Sequence, residues 1–205
     1  MSSIVIAGNT SGAITIAAPA EAGLNTLTLP ASTGTLATTA DIPAGGKILQ
    51  VVNLVYSTQS SMTLSNTDTA ITGMNLDITP VGSGSRFRID VRLFGESANQ
   101  QNTIYNLQRN GTRVNTTSNL YYHGLSMATL TFGTAVNNSS TPEMMHLATV
   151  DSTGSTAGSA ITYTLIATTT SNGMTSTQWI NRCFVTPTAG FETGISEIII
   201  TEIGA

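Results

Sequence analysis

From Lys47 onward, short apolar or alternating runs recur along the chain with turn-forming residues between them. This patterning predicts strands near 48–56, 62–65, 74–79, 86–94, 103–109, 112–115, 144–150, 161–169, 178–185 and 195–203. Three stretches carry most of the information. In 86–94, Phe87, Ile89, Val91 and Leu93 alternate with Arg86, Arg88, Asp90 and Arg92, the pattern of a strand with one face in the core and one in water. Asn110-Gly111 predicts a tight hairpin, because both residues of such a turn need positive φ. In 195–203 apolar residues fall on both faces, Ile195, Ile199 and Ile203 on one and Ile198 and Ile200 on the other. A strand of that kind is central in its sheet, or lies between its sheet and a neighbouring subunit. No stretch sustains an apolar period of 3.6, so almost no helix is expected.

The first 43 residues read differently. They hold no aromatic residue, and their charges are Glu21 and Asp41. Two alternating pieces, Ala13-Ile14-Thr15-Ile16 and Thr26-Leu27-Thr28-Leu29, lie between turn-formers at Gly8, Gly12, Pro19, Gly23, Pro30 and Gly34. So few apolar side chains do not offset the ordering of a chain at about 1–2 kcal/mol per residue. The segment is therefore either disordered or ordered against something else. The regular Ile-x-Ile and Leu-x-Leu alternation favours strands that pair, with identical chains as the missing partner. Ile14, Ile16, Leu27 and Leu29, together with Ile199 and Ile203, are the candidate core of such an oligomer. Residues 41–46 read as a linker. The expected organisation is a short attachment or stalk segment, 1–43, and a larger all-β unit, 44–205.

Composition narrows the function. The chain has 36 Thr and 21 Ser against 7 Lys and Arg and 11 Asp and Glu, with net charge -4. Nucleic acid is gripped by clustered cations, and one Lys with six Arg does not supply them. No apolar run approaches the roughly 18–20 residues of a membrane span, and the start lacks the basic and apolar regions of a signal peptide. The Asn-x-Ser/Thr sites read as chance matches in so Asn- and Thr-rich a chain. Cys183 is the only cysteine and His123 and His146 the only histidines, which leaves a zinc site short of ligands. No Gly-x-Ser-x-Gly elbow, phosphate loop or calcium-loop spacing is present. Acids are sparse. A pair of facing carboxylates, such as Asp77 and Asp90 across a hairpin, is conceivable for glycoside cleavage, but solvated-face positions or partners for arginine suit them better. Neither catalysis, a cofactor nor a metal is expected.

Residues 12–19, Gly-Ala-Ile-Thr-Ile-Ala-Ala-Pro, followed by 25–39, Asn-Thr-Leu-Thr-Leu-Pro-Ala-Ser-Thr-Gly-Thr-Leu-Ala-Thr-Thr, resemble a recurrent module of phage fibre proteins. The remainder, through Gly46-Lys47-Ile48-Leu49-Gln50-Val51-Val52, the Asn110-Gly111 hairpin and the closing Ile198-Ile199-Ile200-Thr201-Glu202-Ile203, is similar to the heads that follow it. Those heads resemble trimeric jelly rolls of the complement globular-head and tumour-necrosis-factor type. The resemblance implies a homotrimeric jelly-roll fibre or spike of a phage virion, assembled in the host cytoplasm. The N-terminal segment would attach to other virion proteins and the head would meet the host surface. A head fibre or capsid decoration protein, and a carbohydrate-binding jelly-roll module, are the alternatives. The stalk here is short, which argues against long reach. Tyr121, Tyr122 and His123, in the long stretch 116–142 without a clear strand, are the candidate receptor contact. Aromatic side chains among Asn, Ser and Gly suit shallow recognition of a host glycan; packing at a subunit interface is the other reading. The Arg86, Arg88, Arg92 stripe is either a contact for an anionic surface or a solvated strand face.

Overall fold

The structure, a computed structural model, describes residues 3–7, 9–17, 24, 26, 46–97, 103–115, 142–169, 175–184 and 192–205. The chain divides into two compact units, Met1–Ile42 and Pro43–Ala205. All regular structure among the described residues is β, and every strand pair is antiparallel.

In the first unit β1 (Ser3–Ala7) and β2 (Ala13–Ala17) form a two-stranded sheet, Ile4 opposite Ile16 and Ile6 opposite Ile14. The alternation of 13–16 marks β2. Nothing marks β1 in the same way, because Ile4-Val5-Ile6 is apolar at every position and shows no period.

The second unit is an antiparallel sandwich. One sheet holds β5 (Thr69–Ile78), β10 (Ile161–Thr169), β7 (Thr103–Arg109) and β8 (Thr112–Arg113) in that order. The other is built around the long β6 (Arg86–Ser97). Along one side of β6 runs β9 (Glu143–Asp151). Along the other lie first β12 (Ser196–Ile203) and then β11 (Ser176–Ile180). Outside these, β3 (Ile48–Tyr56) pairs with β12 and β4 (Ser60–Leu64) with β11.

The core forms where the alternating faces meet. Phe87, Ile89, Val91 and Leu93 of β6, with Ile198 and Ile200 of β12 and Leu147 of β9, pack against Tyr105 and Leu107 of β7, Tyr163 and Leu165 of β10 and Met74 of β5. All four β6 residues are fully buried, a gain of about 1.5–3 kcal/mol each relative to exposure. The Phe87 and Tyr163 rings meet across the sandwich, tilted with centroids 6.0 Å apart.

Three strands differ from the sequence expectation for identifiable reasons. β5 begins at Thr69, not near Met74, because Gly73 at φ 75 interrupts the alternation halfway. Any Cβ there would run into the Tyr56 ring. β6 continues three residues past Phe94 through Gly95, whose missing Cβ leaves room for the Trp179 carbonyl of β11. β11 stops at Ile180, short of the expected 185, because Asn181 turns the chain at φ 59.

Candidate assembly surface

The outer face of the larger sheet follows from register. Residues 197, 199, 201 and 203 of β12 point away from the core, since Ile198 and Ile200 on the alternate positions are fully buried. Opposite them on β3 stand Val55, Asn53, Val51 and Ile48. On β6 they face Arg92, Asp90, Arg88 and Arg86, and beyond those on β9 lie His146, Ala148 and Val150. The β3–β12 half of this face is apolar in the main: Ile48, Val51 and Val55 are 61%, 57% and 51% exposed, and Ile199 and Ile203 are half-buried. The β6 half is charged, and its charges pair within the face. The Arg88 guanidinium donates to Asp90 at 2.9 and 3.2 Å, and Arg92 donates to Glu197. Two of the three stripe arginines are thus neutralised by neighbours on the same surface, as a solvated strand face would have them.

The hairpin of the first unit presents a second apolar surface. Its register puts Ile4, Ile6 and Ile16 on one side. Ile4, Ile6 and Ile16 are 66%, 55% and 44% exposed. A two-stranded hairpin alone is marginal in water, so this face calls for cover.

Polar groups inside the second unit hold strands and loops together. The Glu202 carboxylate is fully buried beside β3 and accepts from the Val81 and Gly82 N–H groups and from Gln50 Nε2 at 2.6–3.1 Å. Burial alone would raise its pKa; these bonds and one from Ser85 outweigh that and hold it below the usual carboxylate range. Asp151, also fully buried, accepts from Arg109 Nη1 (3.0 Å), Tyr163 Oη (2.6 Å), and Thr153 N and Oγ1 (2.9 and 2.6 Å). Its pKa is likewise lowered, the Thr153, Tyr163 and Arg109 contacts overcoming burial. Burial, with Asp151 as a near charge, pushes the Tyr163 hydroxyl up.

Asn181 ties the sheet at its centre. Its Nδ2 donates to the Tyr56 and Thr58 carbonyls (2.8 and 3.1 Å), and its Oδ1 accepts from Ser196 Oγ (2.7 Å). Its N–H donates to the Phe94 carbonyl at 2.9 Å. One side chain and its backbone thereby join the ends of β3, β6, β11 and β12.

The candidate oligomer residues separate by location. Ile199 and Ile203 lie on the outer face of the sheet, Ile16 on the exposed hairpin, and Ile14 opposite Ile6 in β2. Leu27, Leu29, Tyr121, Tyr122 and His123 lie outside the described residues. Asp77 and Asp90 belong to different sheets, β5 and β6, so no hairpin sets them face to face. Asp90 is taken up with Arg88. Among the described residues no group of three or more His, Cys, Asp or Glu is placed to hold a metal, and no helix is long and apolar enough to cross a membrane. Sequence reading passed over Glu202 and Asn181. Glu202 was within reach, since it shares the parity of Ile198 and Ile200 and so points inward; Asn181 has no periodic signal at all. No known family model matches the chain, and no curated protein matches it in sequence.

Proposed function

We propose that this chain is a non-enzymatic structural protein of a phage virion, a homotrimeric tail fibre or spike with a jelly-roll head. Residues 1–43 attach it to other virion proteins, and the head contacts the host surface, with a surface glycan as the ligand class. The observation that carries the reading is the pair of open apolar surfaces, one on each unit of the same chain. Ile4, Ile6 and Ile16 on the hairpin and Ile48, Val51 and Val55 on the sandwich stand in water. A self-contained enzyme or lectin gains nothing from leaving both uncovered, whereas a subunit built to assemble covers them. The buried carboxylates support the same reading: Asp151 and Glu202 are saturated with hydrogen bonds that fasten loops, leaving neither free for proton transfer. Gold-labelled antibody on intact particles, viewed by electron microscopy, tests the proposal. Label at the tail is the expected result, label over the capsid would make the protein a head fibre or decoration protein, and unlabelled particles would overturn the virion assignment.

A further inference from the structure

Strand β3, Ile-Leu-Gln-Val-Val-Asn-Leu-Val-Tyr, has seven aliphatic or aromatic residues on a nine-residue strand, yet none of its positions is buried. Its inward residues Val52, Leu54 and Tyr56 are half-buried, and its outward residues Val51 and Val55 are more than half exposed. Among the described residues it is also the edge strand of its sheet. An apolar edge of this length normally carries charges, a proline or a covering segment; β3 has none of these within its nine residues.

Resting on the reading of the chain as a self-assembling subunit, we infer that the β3–β12 half of the outer face is where copies of this chain meet. The arrangement is that of an interface. Ile48, Val51, Val55, Ile199 and Ile203 form the apolar centre, and the paired charges of β6 form the rim. Covering the centre strands no carboxylate, because Glu197, the nearest acid, is already bonded to Arg92, and Arg86, opposite Ile203, stands at the rim. The occupant is a second copy on grounds of complementarity. Apart from Arg86, the face carries its charges in pairs of opposite sign and so neither attracts a strongly charged partner nor strongly repels itself. Its central polar side chains are neutral, Asn53 opposite Ile199 and Thr201 opposite Val51, and the Asn53 amide offers a donor and an acceptor together and can pair with its own counterpart. The seam also starts where the chain enters the sandwich: Gly46 N–H donates to the Gly204 carbonyl and Gly204 N–H to the Lys47 carbonyl.

The test uses the full chain and light scattering across a dilution series. Val51→Lys with Val55→Lys places two ammonium groups in the seam, and assembly should need at least about 100-fold more protein, two tenfold steps in affinity. Asn75→Lys, at an exposed position of β5 in the other sheet, should assemble as the unaltered chain does. A far-ultraviolet spectrum checks that the double variant folds. Asn53→Cys keeps the question open to refutation even if it does not: Cys183 is buried, so a short bis-maleimide should link chains through position 53 alone. An unaltered chain that is monomeric at micromolar concentration overturns the inference, as does a folded double variant of undiminished assembly or an Asn53→Cys chain that fails to cross-link. Cross-linking without label on virions would leave the interface standing and remove the virion assignment; label on virions without cross-linking would do the reverse.

Discussion

Strands β6 and β3 lie in the same sheet with only β12 between them. Both are rich in large apolar residues, and both are long. In β6 the four alternate apolar side chains are fully buried between two sheets, and the intervening charges face outward. In β3 apolar residues occupy both faces, and neither face is fully covered. The difference teaches that a strand's apolar content is matched to the finished assembly. In β6, whose inner face the facing sheet covers, the pattern is strictly alternating; in β3, whose inner face is only half-buried, the outward positions are apolar as well, as the proposed contact between copies requires.

The contrast makes Phe87→Ala the most damaging change. It empties a fully buried position beside Tyr163 and beneath the Arg109 guanidinium, and should lower unfolding free energy in urea by about 3–5 kcal/mol. Asn181→Ala comes next. It leaves the Tyr56 and Thr58 carbonyls and the Ser196 hydroxyl without their partner, and should cost about 2–4 kcal/mol by the same measurement at roughly 1 kcal/mol per bond plus the buried groups left unpaired. Glu202→Gln should cost about 1–2 kcal/mol at neutral pH, since an amide accepts fewer of the three N–H bonds now made to the carboxylate. Glu202 and Asp151 have pKa values lowered by folding, so each stabilises the protein above the ordinary carboxylate range and ceases to as pH falls through the lowered value. Urea midpoints taken between pH 6 and pH 2 should therefore decline on the acid side, and Glu202→Gln should flatten that decline; an unchanged slope would mean that the carboxylate is not what the acid removes. At the bottom of the series stands Val51→Thr, which should alter stability by no more than about 0.5 kcal/mol below the concentration of assembly. A loss comparable to Phe87→Ala would show β3 to be covered within a single chain, and the comparison would fail.

Much of this fold is legible because a period of two survives in the sequence. The charged outer face of β6 follows from it directly, while the bounds of β3, β7 and β10 follow from apolar runs set between turn-forming residues. The Asn110-Gly111 turn is legible for a different reason: both residues take positive φ, 48 and 82, and few other dipeptides do so cheaply. The pattern fails where geometry depends on a single side chain. Gly73 divides β5, Asn181 ends β11, and neither effect is periodic. It fails also for β1, whose apolar residues on both faces resemble a strand from a buried sheet but lie on an exposed hairpin. That Ile199 and Ile203 share the face opposite Ile198 and Ile200 was legible because the closing strand is apolar on both sides; which side chains of β3 point outward was not, because an apolar run alone does not reveal which of its faces the core will cover.

Where the chain enters the sandwich and where it leaves are bonded to each other, through Gly46, Lys47 and Gly204 at the end of the β3–β12 ladder. This has a mechanical consequence. Tension applied between residues 46 and 204 pulls the two strands apart crosswise, so the ladder opens one bond at a time from that end. Force applied instead between residue 46 and residue 195, at the opposite end of the same antiparallel ladder, must shear β3 past β12 and load its bonds at once. The same unit is therefore compliant along one axis and stiff along another, and the difference can be read with an optical trap by moving the point of attachment.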